Sequence, residues 1–181
     1  MSIVIDRWQS TSLSGAQEDL GESGQGSRGA GKKTASGDFN RENLITIAEW
    51  KSPRPIALIE DHTDEDIAAA LQLASAPATP EALTVAVLTA LNGVGSPMAS
   101  AILAAIHPER YTVLDFRALE SLGIENRPDS FAFYVAYRKA CRELAEKHGT
   151  TLRTLDRALW QWSKERKKVS QRVGSCERRA G

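Results

Sequence analysis

The sequence predicts an all-α fold of about seven short helices joined by tight turns, and three features carry that expectation. Apolar residues between Phe39 and Arg166 recur at helical spacing almost throughout. Only Tyr111-Thr112-Val113-Leu114 looks extended, and four residues without a partner do not make a sheet. A chain of 181 residues, 41% of them hydrophobic, supplies one sizeable core and not two.

Residues 1–12 read as an N-terminal arm in which Ile3, Val4, Ile5 and Trp8 suit either a short docked strand or an anchor. Leu13 to Asp38 holds seven of the 13 glycines and almost no large apolar side chain, so 13–38 is expected to be a disordered linker. The helical unit then spans 39–166. Leu44, Ile47 and Ala48 begin its first stripe, and Ile67, Ala70, Leu71 and Ala74 form the next. That second helix is opened by Thr63 with Asp66 three positions on, the pattern of a capping box. Thr79 and Pro80 suit the N-cap and first turn of a helix with the stripe Leu83, Ala86, Val87 and Ala90. Tyr134, Tyr137, Cys141, Leu144 and Ala145 share a face, and Gly149 stops that helix. Leu152, Leu155, Leu159 and Trp162 mark the last one, and 167–181 reads as a basic, unstructured tail.

Charge and cysteine content narrow the function. Residues 1–163 carry net −5 and residues 164–181 net +5, so bulk electrostatics does not favour nucleic acid and any such role must rest on a local site. Two cysteines are too few for a disulfide framework, a four-cysteine iron–sulfur cluster or a Cys-rich zinc site. The three histidines, His62, His107 and His148, stand at turns or helix ends with no second ligand at metal-binding spacing, so no metal is expected from side chains. No apolar run reaches membrane-spanning length, and Asp6 and Arg7 interrupt the start where a leader would be apolar. The sequence therefore reads as soluble and cytoplasmic, with no membrane partner.

Leu91 to Leu122, LNGVGSPMASAILAAIHPERYTVLDFRALESL, carries most of the functional inference. Gly93-Val94-Gly95 separates two helical patterns by only a few residues, and glycine permits the positive φ of so tight a connection. Ser96 suits the cap of the second helix and Pro97 its first turn. Ala99, Ser100, Ala101, Ala104 and Ala105 allow a neighbouring helix to approach closely. The exposed N–H groups of such a turn suit one phosphate of a nucleic-acid backbone, although the tripeptide also serves simply to reverse the chain.

The order Leu91-Asn92-Gly93-Val94-Gly95, Ala99, an apolar helix and then Val113-Leu114-Asp115 resembles the helix-hairpin-helix DNA glycosylase superfamily, which includes endonuclease III and adenine glycosylase types. The resemblance covers Leu91 to Leu122 and departs from the family pattern at Asn92 and Met98. It implies a glycosylase-like helical domain in which Gly93, Val94, Gly95 and Ser96 hold a DNA phosphate, with a monovalent cation at the hairpin carbonyls as the one cofactor it allows. Asp115 would be the catalytic carboxylate. Pro97 stands where bifunctional members place the imine-forming lysine, so the resemblance implies a monofunctional hydrolase of the N-glycosidic bond.

Double-stranded DNA is then the partner, and a base must be flipped out of it. Trp50, Lys51 and Arg54, in the loop early in the helical unit, are the candidate DNA contacts. Trp50 also suits the core, and Asp115 also suits the N-cap of the helix that begins at Phe116. Trp160 falls off the final stripe and suits a pocket wall. A second subdomain has little sequence left to form it, so the base pocket is expected to be either shallow or completed by a protein partner. Two other classes remain open, a noncatalytic DNA-binding module and a helical protein-interaction domain.

Overall fold

The computed structural model describes residues 22–125, 128 and 130–177, with side chains at 24–125, 128 and 130–166. Among these there are nine helices and no strand: α1 Glu22–Ala35, α2 Arg41–Lys51, α3 Ile56–Glu60, α4 Asp64–Ser75, α5 Glu81–Thr89, α6 Ser96–Ile106, α7 Phe116–Ser121, α8 Phe131–Lys147 and α9 Leu152–Glu177. The arm at 1–12 lies outside the described residues. No helix among the described residues is long and apolar enough to cross a membrane.

Local chemistry sets the helix ends. The side chains of Asn40, Thr63 and Ser130 accept the N–H groups of Asn43, Asp66 and Phe133 at 2.8, 3.1 and 3.2 Å, satisfying donors that the first helical turn leaves unpaired. Gly149, at φ +58°, follows the end of α8 as its sequence position predicts. At α6 the cap is Gly95 and not Ser96, which is the first helical residue, with Pro97 in the first turn where it forfeits no bond.

Helix α6 is the axis of the core. Met98 to Ala104 and Ile106 are all buried, and α1, α2, α4 and α5 pack around them. On the other side α9 packs on α7 and α8. Tyr134, Tyr137, Cys141 and Ala145 face inward as their spacing predicts, and burial pushes the Cys141 thiol up to about 12, leaving it an inert core group.

Three further expectations need correction. Most of the predicted linker is helix α1, and only 13–21 of it lies outside the described residues. Its glycines and small residues serve packing: Ser27, Ala30, Gly31 and Thr34 form its buried face, and a Cβ on Gly31 would lie 2.1 Å from the Ala105 carbonyl oxygen. The small-residue face of α6 does meet a close neighbour, and that neighbour is α1. The stripe of α5 is also rotated from the expected one. Thr84, Val85 and Leu88 are buried, whereas Leu83 is 55% exposed. Six of the nine residues of α5 are apolar and they lie on more than one face, so the pattern alone does not fix its phase, and Thr84 tolerates burial because its hydroxyl donates to the Pro80 carbonyl. Finally, the α9 backbone continues through Glu177 instead of ending near 166, since Lys, Arg, Gln and Glu propagate a helix well once it has started.

Candidate active site

Tyr111 to Leu114 is buried and belongs to neither helix nor strand, so its backbone groups need other partners. They find them in side chains. The Leu114 N–H donates to Ser100 Oγ at 2.8 Å. Tyr134 and Tyr137 donate their hydroxyls to the carbonyls of Thr112 and Val113, each at 3.1 Å. Burial pushes both phenols far above their ordinary range, which keeps them neutral donors. Helices α6 and α8 thus grip the segment from both sides and fix the residue that follows it.

That residue is Asp115. Its Oδ1 accepts the Arg117 N–H at 2.9 Å, so the expected N-cap of α7 is realised. Its Oδ2 lies 2.7 Å from Lys51 Nζ, the two side chains being 19% and 13% exposed. Lys51 Nζ also lies 3.4 Å from the Leu114 carbonyl oxygen. The lysine predicted to reach for phosphate is therefore turned onto the carboxylate. Sequence reasoning did not pair these residues, because 64 positions separate them.

The chain that leaves Lys51 runs directly to the glycine turn between α5 and α6. Gly93 has φ +84°, and a Cβ built there would meet the Pro55 carbonyl oxygen at 2.9 Å and Leu58 Cβ at 3.1 Å. Only Gly93 needs the left-handed conformation, since Gly95 has φ −82°. His62 accepts the Asn92 N–H on Nε2 at 2.7 Å, tying the same turn to the residues before α4. One short stretch, 51–55, therefore touches Asp115 at one end and the glycine turn at the other. Gly93→Ala should cost about 2–3 kcal/mol by adding positive-φ strain to a contact with backbone that has little freedom to yield. Chemical denaturation checks this, and a loss below about 0.5 kcal/mol would show that the turn does not need its glycine.

Around this pair sit residues that the sequence did not single out for a role. Asp156 is buried on α9, where Arg153 Nη1 donates to its Oδ2 at 3.0 Å. Burial pushes its carboxyl from 3.8 up to about 6, opposed by Arg153 and Lys51 and reinforced by Asp115. An acid one helical turn beyond Leu152, on the apolar face of α9, was the available signal. Because the folded state holds this proton more tightly than the unfolded chain, the stability it contributes is present below about pH 4 and is lost as pH rises through about 6. Relative to Asp156→Asn, the wild type should lose about 2–3 kcal/mol of unfolding free energy between these limits. Urea denaturation across that range tests this, and parallel profiles for the two proteins would refute it.

The remaining candidates are dispersed. Trp50 is half-buried against the core, with the Arg153 guanidinium 4.8 Å from its ring centroid. Arg54 is exposed. Ser96, half-buried, opens α6. Val94 is buried and its N–H donates to the Leu91 carbonyl at 3.0 Å, and the Ala99 N–H donates to the Gly95 carbonyl at 2.9 Å, so two carbonyls of the turn already accept a hydrogen bond. Trp160 is 39% exposed, with the Arg117 and Lys164 cations 5.7 and 4.8 Å from its ring centroid. His107 caps α6 and its Nε2 lies 3.1 Å from the Ser75 carbonyl. Among the described residues no group of three or more His, Cys, Asp or Glu side chains is arranged to hold a metal. No protein-family model, curated protein or solved structure matches the chain.

Proposed function

We propose that this protein is a helix-hairpin-helix protein acting on double-stranded DNA, a monofunctional glycosylase with Asp115 as its carboxylate. The observation that carries the reading is the bridge formed by residues 51–55, which touches both the candidate phosphate-holding turn and the carboxylate. Gly93 and Gly95 would present backbone N–H groups to one DNA phosphate beside Ser96 at the start of α6, the Val94 N–H being already spent on the Leu91 carbonyl, and a monovalent cation on the turn's carbonyls would add to the grip. Hydrolysis adds the hydroxyl of water to the sugar's anomeric carbon, while the base departs with the bonding electrons and takes up the proton. Positive charge grows on the sugar as that bond breaks, and a fixed carboxylate stabilises it and orients the water. Lys51 and the Arg117 N–H hold Asp115 in place, and two carboxylate oxygens retain lone pairs beyond those two bonds. Pro97 offers no amine, which favours hydrolysis over strand cleavage through an imine.

One observation favours a second reading. Both oxygens of Asp115 already have protein partners, as a purely structural cap would. A noncatalytic module would bind DNA through the turn and release no base. Duplexes bearing uracil, oxidised purines, alkylated bases or hypermodified phage bases, incubated with the protein and then treated with alkali, separate the two. Breaks at one class of base are expected. Intact strands across the whole set, with binding retained, would leave the noncatalytic module standing.

A further inference from the structure

A groove of about 1030 Å³ runs between α1, the end of α6, α8 and the start of α9, beside the Asp115 site. Its walls carry Arg28 and Lys32 from α1, Arg142 from α8, and Arg153 and Arg157 from α9, against two carboxylates, Glu109 and Glu146. Residues 1–163 carry net −5, so this local excess of positive charge runs against the composition of the body. Arg153 registers the crowding. Burial draws it below the ordinary guanidinium range, Asp156 opposes that, and the charges of Arg28 and Arg157 add to it. Like charges gathered this closely repel, and an anionic ligand relieves the repulsion. The groove also exposes apolar surface, from Ala35 and Pro108, which are exposed, and from Trp50 and Ala105, which are half-buried.

We propose that this groove binds an unpaired nucleic-acid strand, with its phosphates along the cationic walls and its bases against the apolar floor. A duplex keeps its bases stacked inside and leaves such a floor unused, whereas an unpaired strand offers both chemistries to a basic groove. The choice of nucleic acid over another polyanion rests on the DNA reading above. The position agrees with that reading too, because Asp156, which holds Arg153, also interacts with Lys51 and Asp115. None of the five basic residues belongs to the glycine turn or to the loop at 50–55.

Fluorescence anisotropy with a labelled oligothymidine of about twelve nucleotides tests this. Arg28→Glu/Lys32→Glu changes two exposed residues on α1. It should weaken binding at least about tenfold and reduce the slope of log K against log salt by about 1.4, as expected for two lost phosphate contacts on a single strand. Lys139→Glu/Lys147→Glu, exposed on α8 and outside the groove, makes the same charge change and should weaken binding less than about threefold. If the first variant does not fold by circular dichroism, Arg28→Gln/Lys32→Gln replaces it, with the same slope expected. Equal losses in the groove and control variants, or no binding by the wild type, would overturn the proposal. Base release from a duplex by a protein that ignores oligothymidine would sink the groove and leave the Asp115 reading intact. Groove-dependent binding with no base released from any duplex would do the reverse.

Discussion

Gly31→Ala is expected to lower the unfolding free energy by about 2–3 kcal/mol and the melting temperature by roughly 5–10 °C. Alanine in place of a mid-helix glycine gains about 1 kcal/mol from backbone entropy alone, so the clash must exceed that gain. It does so because the new Cβ would lie 2.1 Å from the Ala105 carbonyl oxygen and 2.4 Å from its carbon, both atoms of the α6 backbone. No side-chain rotation relieves such a contact, and α1 and α6 must separate. Parting them loosens the buried face of Ser27, Ala30 and Thr34. Gly29, two positions earlier, would meet nothing within 4 Å. Gly29→Ala should therefore stabilise the protein by about 0.5–1 kcal/mol. Opposite signs at two glycines of one helix are the signature to seek in denaturation curves, and equal effects at both would mean that α1 does not pack as described.

The same helix marks where the sequence was hardest to interpret. Its composition is that of a linker, and its stability comes from a tertiary contact that only small residues permit. One half of that contact was visible beforehand, since the run of alanines and serine in α6 predicted a close neighbour without saying which. The N-cap at Thr63, the inward face of α8 and the stop at Gly149 were legible because each depends on residues within a few positions of one another. The phase of α5 was not, because almost any rotation of so apolar a helix buries hydrocarbon.

At the candidate site the division is similar. The capping role of Asp115 is local and could be predicted. Its second partner is set by how α2 crosses the segment before α7, and no short pattern encodes that crossing. His62 and Ser100 are like cases, each satisfying a backbone N–H from a remote part of the chain, on Asn92 and Leu114. The role of such residues follows from which buried backbone groups lack partners, and that cannot be known until the chain is folded.

Asp115→Asn keeps the side chain's size and an oxygen able to accept the Arg117 N–H, so it tests the charge separately from the cap. Loss of the Lys51 ion pair should destabilise the fold modestly, by about 1–2 kcal/mol, because Lys51 keeps the Leu114 carbonyl and some contact with solvent. Removing the carboxylate should slow bond cleavage by at least about 100-fold, the scale on which one electrostatic stabiliser of a developing charge acts. The decisive measurement is single-turnover release of free base from the duplex class that the wild type attacks, with the dissociation constant determined in parallel. The predicted result is a rate lower by that factor for Asp115→Asn at an affinity within about threefold of wild type. Base released at the wild-type rate by the variant would contradict a catalytic carboxylate at this position.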